Sequence, residues 1–408
     1  MFLTKYEERV LDGEFGPALQ LSMRILTKIG DALGASRLIR ISSAHVSGIS
    51  YKNIGDAGLQ FLKHLRNLGA RVSVLTTSNP SSFGPEISKI VKLPEDFIAK
   101  QMEVLRILEE MGILATYSCT PYYCGNVPNF SEHIAWAESS AVVFANSVLG
   151  ARTNREGGPS SIAAAIVGKT PLYGLHIWEN RLPTVLIKIT CDLPDDPLFY
   201  SALGYLVGSL VKKGVPLFSG IKGCSSEALR CLAAGIATSG NIDMFHIEGA
   251  TPEAIMHSND DRFRLNIEEK ISIDHEELKD IIEGNISESP DIVFLGCPHL
   301  SAREIISLPR IMPEIFEQKS AEVWICTSKC QKSILPAGFF QRLCSMYKNV
   351  KVFTDMCLVV FPVEFLECKS IATNSFKAYY YLRNTSEKEI GIFRPYRHKS
   401  YYNNHTRL

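Results

Sequence analysis

The chain has 408 residues, with 43 basic (Lys, Arg) and 43 acidic (Asp, Glu) side chains, so its formal charge is zero. Hydrophobic residues make up 46% of the chain and charged residues 21%, as in an ordinary globular protein. The balanced charge provides no general attraction to nucleic acid or to an anionic membrane. No apolar stretch reaches the roughly 18–20 residues of a membrane span. We therefore expect neither a nucleic-acid partner nor a membrane partner.

The N-terminal segment MFLTKYEERV lacks the apolar core of a secretory signal, which predicts a cytoplasmic location. The eleven cysteines do not show the dense, short spacings of a disulfide framework, so we expect reduced thiols. A free cysteine usually behaves as a small hydrophobic residue, and most of these thiols are expected to be buried packing residues.

Short β-rich runs alternate with longer helical patterns, which predicts an α/β fold built on mostly parallel sheets. In the first half, the pattern predicts helices over 18–33, 56–68 and 94–111 and strands over 38–41, 71–75, 113–117 and 141–145. A strand over 185–190 and a helix over 197–213 follow, with the segment CDLPDDP between them as a boundary.

The last third of the chain shows the clearest pattern. Strands are predicted over 291–295, 322–326, 350–353 and 370–372, with helical stretches over 303–316 and 338–347. This alternation indicates a doubly wound unit. The predicted division is an N-terminal α/β region (1–190), a middle α/β region (191–280), a C-terminal doubly wound domain (281–392) and a basic, Tyr-rich tail (393–408) that is disordered or docks a partner.

Three cysteines follow predicted strands, where open α/β sheets bind their ligands: Cys119, Cys297 and Cys357. Thiolates from three such loops could meet at one iron–sulfur cluster, and three ligands would leave one iron free to act as a Lewis acid. The spacing alone does not decide the matter. Cys124, Cys326 and Cys330 compete for the same role, zinc is the other metal, and buried packing thiols are the simplest alternative.

Polar loops at other strand ends are candidate anion sites. Gly48–Ile49–Ser50 could present backbone N–H groups and a hydroxyl to an anion, Asn79–Pro80 ends the next strand in a similar position, and Lys377 follows the strand predicted over 370–372. Glu138 and Ser139 precede the strand predicted over 141–145, and Arg152 follows it as a carboxylate or phosphate clamp. The nucleotide motifs GxGxxG and GxxxxGK[ST] are absent from these strand ends, so a nucleotide-using enzyme is disfavoured.

Together these motifs resemble the large subunits of the aconitase X family over nearly the whole chain, from LTKYEERVLDGEFG to Lys377. The resemblance rests on SSAHVSGISY, TTSNP, SCTPYYCGN, AWAESSAVVFANSVLGARTNREGG, GNIDMFHIEGATPEA, LGCPHLS, TDMC and ATNSFK. It implies a multi-domain, aconitase-like architecture and a [4Fe–4S] cluster on Cys119, Cys297 and Cys357. Because Cys124 lies in the same motif as Cys119, the choice between those two stays open.

The resemblance also implies a reaction and a partner. The reaction is dehydration of (R)-5-phosphomevalonate to trans-anhydromevalonate 5-phosphate in a modified mevalonate pathway. A small aconitase X-type subunit would supply the base, because no segment of this chain resembles the swivelling domain that carries it. The implied substrate contacts are Gly48, Ile49, Ser50, Asn79, Pro80, Glu138, Ser139 and Lys377, with Arg152 as an additional one. The alternatives are a cis-3-hydroxy-L-proline dehydratase and a non-catalytic metal-binding scaffold.

Overall fold

The computed structural model describes residues 1–317 and 321–394, so most of the tail expected over 393–408 lies outside the described residues. The described chain forms sheets of two, three, four and five strands. Every strand pair in the three larger sheets is parallel, which confirms the predicted α/β class. In the described ranges, no helix combines the length and apolar character needed to cross a bilayer.

The first region surrounds a three-stranded sheet of order β3-β2-β4. Its helices are α1 (Lys5–Asp12), α2 (Pro17–Ala32), α3 (Tyr51–Asn67), α4 (Glu95–Glu110), α5 (Ser139–Phe144) and α6 (Gly158–Val167). Its strands are β1 (Leu38–Arg40), β2 (Ser43–Val46), β3 (Leu75–Ser78), β4 (Ala135–Trp136) and β5 (Lys169–Pro171), of which β1 and β5 pair antiparallel. Helix α3 buries Leu59, Leu62 and Leu65, whose spacing of three places them on one helical face.

The middle region contains a four-stranded sheet of order β8-β7-β6-β9. It comprises β6 (Val185–Ile189), α7 (Pro197–Val211), β7 (Pro216–Ser219), α8 (Ser226–Ser239), β8 (His246–Ile247), α9 (Pro252–Met256), β9 (Glu269–Ile273) and α10 (His275–Glu283). Helices α7 and α8 touch through their backbones, since a Cβ on Gly204 would lie 2.4 Å from the Leu232 carbonyl oxygen. Strand β6 lies before residue 190, where the sequence predicted the boundary between the first and the middle region.

The third region has a five-stranded parallel sheet of order β12-β11-β10-β13-β14. Its elements are β10 (Ile292–Leu295), α11 (Ala302–Ile311), α12 (Pro313–Glu317), β11 (Glu322–Thr327), α13 (Lys329–Ile334), α14 (Phe339–Met346), β12 (Val350–Thr354), β13 (Ser370–Thr373), α15 (Phe376–Thr385) and β14 (Glu389–Ile392). The strand order changes direction between β10 and β13, which confirms the doubly wound prediction. The loops beyond this switch point are where such sheets bind ligands.

Three predicted strands of the first region differ in the structure. The run 141–145 lies mostly in helix α5, whose residues Ser140 to Phe144 are all buried. A short apolar run that is buried on every side carries no periodicity to separate helix from strand. The strand predicted over 71–75 begins only at Leu75, and the segment 113–117 contributes an isolated bridge from Leu114 to Thr77.

Candidate functional site

The candidate site lies where the carboxyl ends of two parallel sheets meet. From the first region, the loops after β2, β3 and β4 carry Ser50, Asn79 and Glu138. From the third region, the loop after β10 carries Cys297, and Lys377 lies in the first turn of α15, which follows β13. The third-region loops flank its switch point, so the strand order itself creates the crevice.

A buried ion pair between Lys377 and Glu138 joins the two sheets. The Lys377 ammonium donates to Glu138 Oε1 and lies 3.4 Å from Ser139 Oγ and 3.2 Å from Ser140 Oγ. Asn79 Nδ2 donates to the other carboxylate oxygen of Glu138 at 2.9 Å. Both charged side chains are about nine-tenths buried, with exposures of 9% and 11%. The structure thus brings four of the predicted substrate contacts together.

The pair keeps both groups charged. Burial alone would raise the pKa of Glu138, but the charge and hydrogen bond of Lys377 outweigh it and lower that pKa to about 2. Burial alone would lower the pKa of Lys377, but Glu138 raises it above its usual range. At neutral pH the site therefore holds a carboxylate that is a poor base and an ammonium that does not lose its proton.

His45, on β2, fixes the orientation of the Asn79 amide. Its Nδ1 lies 2.8 Å from Thr77 Oγ1, and its Nε2 lies 3.3 Å from Asn79 Oδ1. Burial lowers the pKa of His45 to about 4, so the imidazole is neutral at neutral pH. With Oδ1 facing His45, the Asn79 amide turns its N–H groups toward Glu138.

The three predicted cysteines lie close enough to interact electrostatically beside this pair. All three pairs of thiols interact in this way: Cys119 with Cys297, Cys297 with Cys357, and Cys357 with Cys119. The backbone N–H of His299 donates to Cys119 Sγ at 3.2 Å, and the ring of the same residue lies 2.8 Å from the Met356 carbonyl oxygen. His299 therefore links the loops of all three thiols.

These thiols fit the iron–sulfur cluster that the resemblance implies. Burial is the largest cause that raises the pKa of each of the three to about 12, so they are protonated when no metal is bound, and binding iron would release the protons. Within the described ranges, no three His, Cys, Asp or Glu side chains are arranged to hold one single ion.

Tight packing holds the Cys297 loop in place. Gly296 has φ +126°, and a Cβ there would lie 2.3 Å from the carbonyl oxygen of Cys326. Only glycine tolerates both the conformation and the contact. Cys326 is fully buried behind this glycine, and its thiol interacts electrostatically with those of all three candidate ligands.

Cys124, the competitor of Cys119, points elsewhere. Its Sγ lies 3.5 Å from Ser328 Oγ, and its thiol interacts directly with that of Cys330. Cys124 therefore contacts the N-terminal end of α13, whereas Cys119 interacts with Cys297 and Cys357. The geometry therefore favours Cys119 over Cys124 as a ligand.

The loop Gly48–Ile49–Ser50 closes the crevice from the first region. Ser50 Oγ lies 2.8 Å from Ser82 Oγ and 3.3 Å from the Val360 carbonyl oxygen of the third region. Gln101 Nε2 donates to the Ile49 carbonyl at 3.1 Å. Gly48 is exposed with φ +70° and open space on its Cβ side. Pro80 is buried between Asn79 and Ser81, and Ser81 forms a bridge to Met356 next to Cys357.

Arg152 is the one predicted contact that the structure places away from this crevice. It forms a bridge with His133, before β4 begins, whereas Glu138 follows the carboxyl end of that strand. Its guanidinium donates to the His176 carbonyl at 3.4 Å. Arg152 belongs to a cluster with His133 and His176 and has no described contact with Lys377.

Sequence reasoning missed two buried polar residues that support the loops. Arg230, on α8, donates to the His299 carbonyl and pairs with Glu304 at 2.6 Å. Gln101, on α4, holds Ile49 and also accepts from the Tyr51 N–H at 2.7 Å. A signal was available for both, because each is a polar side chain at an interior position of an otherwise apolar helical face.

Comparison with family models places three consecutive aconitase X domains on the chain. The first domain matches residues 1–179, the second 183–283 and the third 290–394. These ranges include the cysteines and the ion pair described above.

Several relatives match this chain along almost its full length. The phosphomevalonate dehydratase large subunit of Methanocaldococcus jannaschii is 42% identical over 399 residues, covering 96% of this chain and 97% of the relative. Its namesake from Thermococcus kodakarensis is 44% identical, with 94% and 95% covered. The cis-3-hydroxy-L-proline dehydratase of Pseudomonas aeruginosa is 33% identical, with 93% of this chain but only 66% of the relative covered.

A solved structure also matches: holo-form aconitase X of Thermococcus kodakaraensis, with a TM-score of 0.86 at 42% identity, covering 97% of this chain and 98% of that one. The multi-domain, aconitase-like prediction is therefore confirmed. On these matches and on the three domain models, which together cover nearly all of residues 1–394, the chain belongs to the aconitase X family.

Proposed function

We propose that this chain is the large subunit of an iron–sulfur hydro-lyase that dehydrates (R)-5-phosphomevalonate to trans-anhydromevalonate 5-phosphate, in a modified mevalonate pathway to isoprenoids. One observation carries the proposal. Three mutually interacting thiols from separate loops lie beside the buried Lys377–Glu138 pair, at the crevice between two parallel sheets. Two relatives that match 96% and 94% of the chain are also named phosphomevalonate dehydratase large subunit.

Cys119, Cys297 and Cys357 would hold the proposed [4Fe–4S] cluster. When bound, the cluster would supply a Lewis-acidic iron that makes the substrate hydroxyl a better leaving group. The His299 N–H that donates to Cys119 Sγ would help to stabilise negative charge on that sulfur. Cys119 and Cys297 are buried and Cys357 is partly buried, and this low exposure to solvent would strengthen each of these interactions.

Lys377 and its neighbours would bind the acid end of the substrate. The ammonium is held beside Ser139 and Ser140, and its raised pKa keeps it charged when an anion enters. Asn79 and the loop Gly48–Ile49–Ser50 line the same crevice and offer N–H and hydroxyl groups to a carboxylate or a phosphate. Fixed donors of this kind orient the substrate for elimination.

The chain's own buried groups are poorly suited to remove the proton next to the carboxylate. Glu138 has a pKa of about 2, and both ring nitrogens of His45 already have partners. A small partner subunit would therefore supply the base, in a heterodimer or larger assembly. About a third of the hydroxyproline dehydratase relative lies outside its match to this chain. That extra length is consistent with a further part of the enzyme, which a small subunit would supply here. We also propose the cytoplasmic location that the sequence predicts.

The second candidate substrate is cis-3-hydroxy-L-proline, because two relatives of that name match at 31% and 33% identity. The test is co-expression with a small aconitase X-type subunit, followed by an anaerobic assay of both substrates. We expect water loss from phosphomevalonate alone. Turnover of hydroxyproline alone would overturn the substrate assignment, and zinc in place of iron, with neither substrate consumed, would favour a non-catalytic scaffold.

A further inference from the structure

Two thiols outside the candidate cluster site face each other across the junction of the first and third regions. Cys124 ends the short 3-10 helix Pro121–Cys124, and Cys330 lies on α13. Their thiols interact directly, and Ser328 Oγ lies 3.5 Å from Cys124 Sγ. The two segments are also joined by Gln331 Nε2, which donates to the Tyr123 carbonyl at 2.8 Å. The contact is therefore part of an ordered interface.

We propose that Cys124 and Cys330 form a reversible disulfide when the protein meets a small-molecule disulfide, and that this bond latches the Cys119 loop to α13. Both residues are half-buried, and their chain neighbours Gly125 and Lys329 are exposed, so a small oxidant can reach them. Formation of the bond is a property of the chain and is independent of the proposed dehydration.

The pKa values of the two thiols shift in opposite directions, which gives the thiols different roles. The interaction with Cys124 is the largest cause that lowers the pKa of Cys330, to about 7, whereas Cys330 raises the pKa of Cys124. Cys330 is thus the thiolate that attacks one sulfur of the oxidant and releases one small thiolate. Cys124 then attacks the Cys330 sulfur, loses its proton and releases the second small thiol. The pair loses two electrons and two protons, and the oxidant gains them.

The latch would act on the site through its position in the chain. Cys124 is in the same loop as Cys119, while Cys330 belongs to the third region, which carries Cys297 and Cys357. A bond between them crosses the interface between the thiol-bearing loops. It would restrict their separation in the metal-free chain, because a cross-link removes open conformations.

The test is peptide mapping of the full chain after anaerobic treatment with oxidised glutathione and alkylation of the remaining thiols. In most chains we expect a linked peptide pair that contains Cys124 and Cys330 and separates with dithiothreitol. In Cys124→Ser, Cys330 should instead retain a glutathione adduct, and in Cys330→Ser the link should be absent. The control Cys344→Ser removes a half-buried thiol on α14 and should behave as the wild type.

A second measurement tests the latch itself. The Tm of the metal-free chain should rise by a few degrees on oxidation and return on reduction, and it should not respond in Cys330→Ser. A lasting glutathione adduct on Cys330 in the wild type, or a link from Cys124 to Cys119, would overturn the bond. A Cys124–Cys330 link that leaves the Tm unchanged would overturn its role as a latch.

Discussion

Lys377 and Glu138 form a buried ion pair although 239 positions separate them in the chain. Glu138 follows a strand of the first region and Lys377 follows a strand of the third, so the pair connects two different sheets. Burying two charges is costly, and that cost is offset here by the additional donors Asn79 and Ser140. The proposed role of Lys377 in substrate binding therefore has to be separated from its role in stability.

Replacing Lys377 with Met should affect both stability and turnover. It leaves the Glu138 carboxylate buried without a cation, which should lower the free energy of unfolding by about 3–5 kcal/mol. If Lys377 binds the substrate carboxylate, kcat/KM should fall by about 10²–10³. Urea denaturation and an anaerobic dehydration assay measure the two effects.

The double variant Lys377→Met/Glu138→Gln separates these effects. Removing both charges should recover most of the lost stability, because no unpaired charge remains buried. Activity should stay low, since the substrate would still lack its cation. Recovery of activity together with stability would show that the pair is only structural.

The three site thiols should differ from Cys124 in their effect on iron content. After anaerobic reconstitution we expect about four irons per chain in the wild type and loss of most iron in Cys119→Ser, Cys297→Ser and Cys357→Ser. Cys124→Ser should retain the iron, because its contacts lead to Ser328 and Cys330. Iron and sulfide analysis measures this. Loss of iron in Cys124→Ser with retention in Cys119→Ser would reverse the ligand assignment.

Two glycines of the site should respond differently to a methyl group. In Gly296→Ala, the new Cβ would lie 2.3 Å from the Cys326 carbonyl oxygen at φ +126°, so strain and overpacking should together cost about 3 kcal/mol or more. In Gly48→Ala, with φ +70° and open space, only the backbone strain of about 1–2 kcal/mol applies. Urea denaturation distinguishes them. Equal losses would contradict the packing described for the Cys297 loop.

The partly buried Glu7–Lys169 pair predicts a pH dependence of stability. Lys169 Nζ lies 2.6 Å from Glu7 Oε1, and although burial opposes it, this interaction together with hydrogen bonds from Thr4 lowers the pKa of Glu7. A carboxyl whose pKa is lowered on folding stabilises the protein above its ordinary pKa. That stability is lost as the pH falls through the folded value.

The measurement is the free energy of unfolding in urea between about pH 6 and about pH 3. In Glu7→Gln the decrease with falling pH should be shallower than in the wild type. The control Glu14→Gln removes an exposed pair with Arg9, whose side chains are 48% and 56% exposed, and should change the slope little. An unchanged slope in Glu7→Gln would contradict the assigned role of this pair.

A structural feature of this protein was predictable from the sequence where neighbouring residues alone determine it. The strands around 292–295, 322–327 and 350–354 were predictable because buried parallel strands are short apolar runs bounded by turns. Helix α5 was not predictable, since its apolar run is buried on all sides. In the sequence, Glu138 was expected before a strand but precedes helix α5, whereas the position of Lys377 after a short strand was visible. Their pairing was not, because it depends on how two sheets meet.

Arg152, which the sequence suggested as a substrate clamp, lies outside the crevice that holds Lys377 and Glu138. Its guanidinium donates to the His176 carbonyl, beyond the opposite end of β4 from Glu138. Arg152→Ala should therefore change kcat/KM by no more than about twofold, since a residue without contact to the substrate gives no differential binding. Asn79→Ala should lower it by about 10-fold to 100-fold, because a hydrogen bond to a charged group contributes about 1.5–3 kcal/mol. If Arg152→Ala proved the more damaging of the two, the substrate would extend to the other end of β4, and the crevice described here would be only part of its binding site.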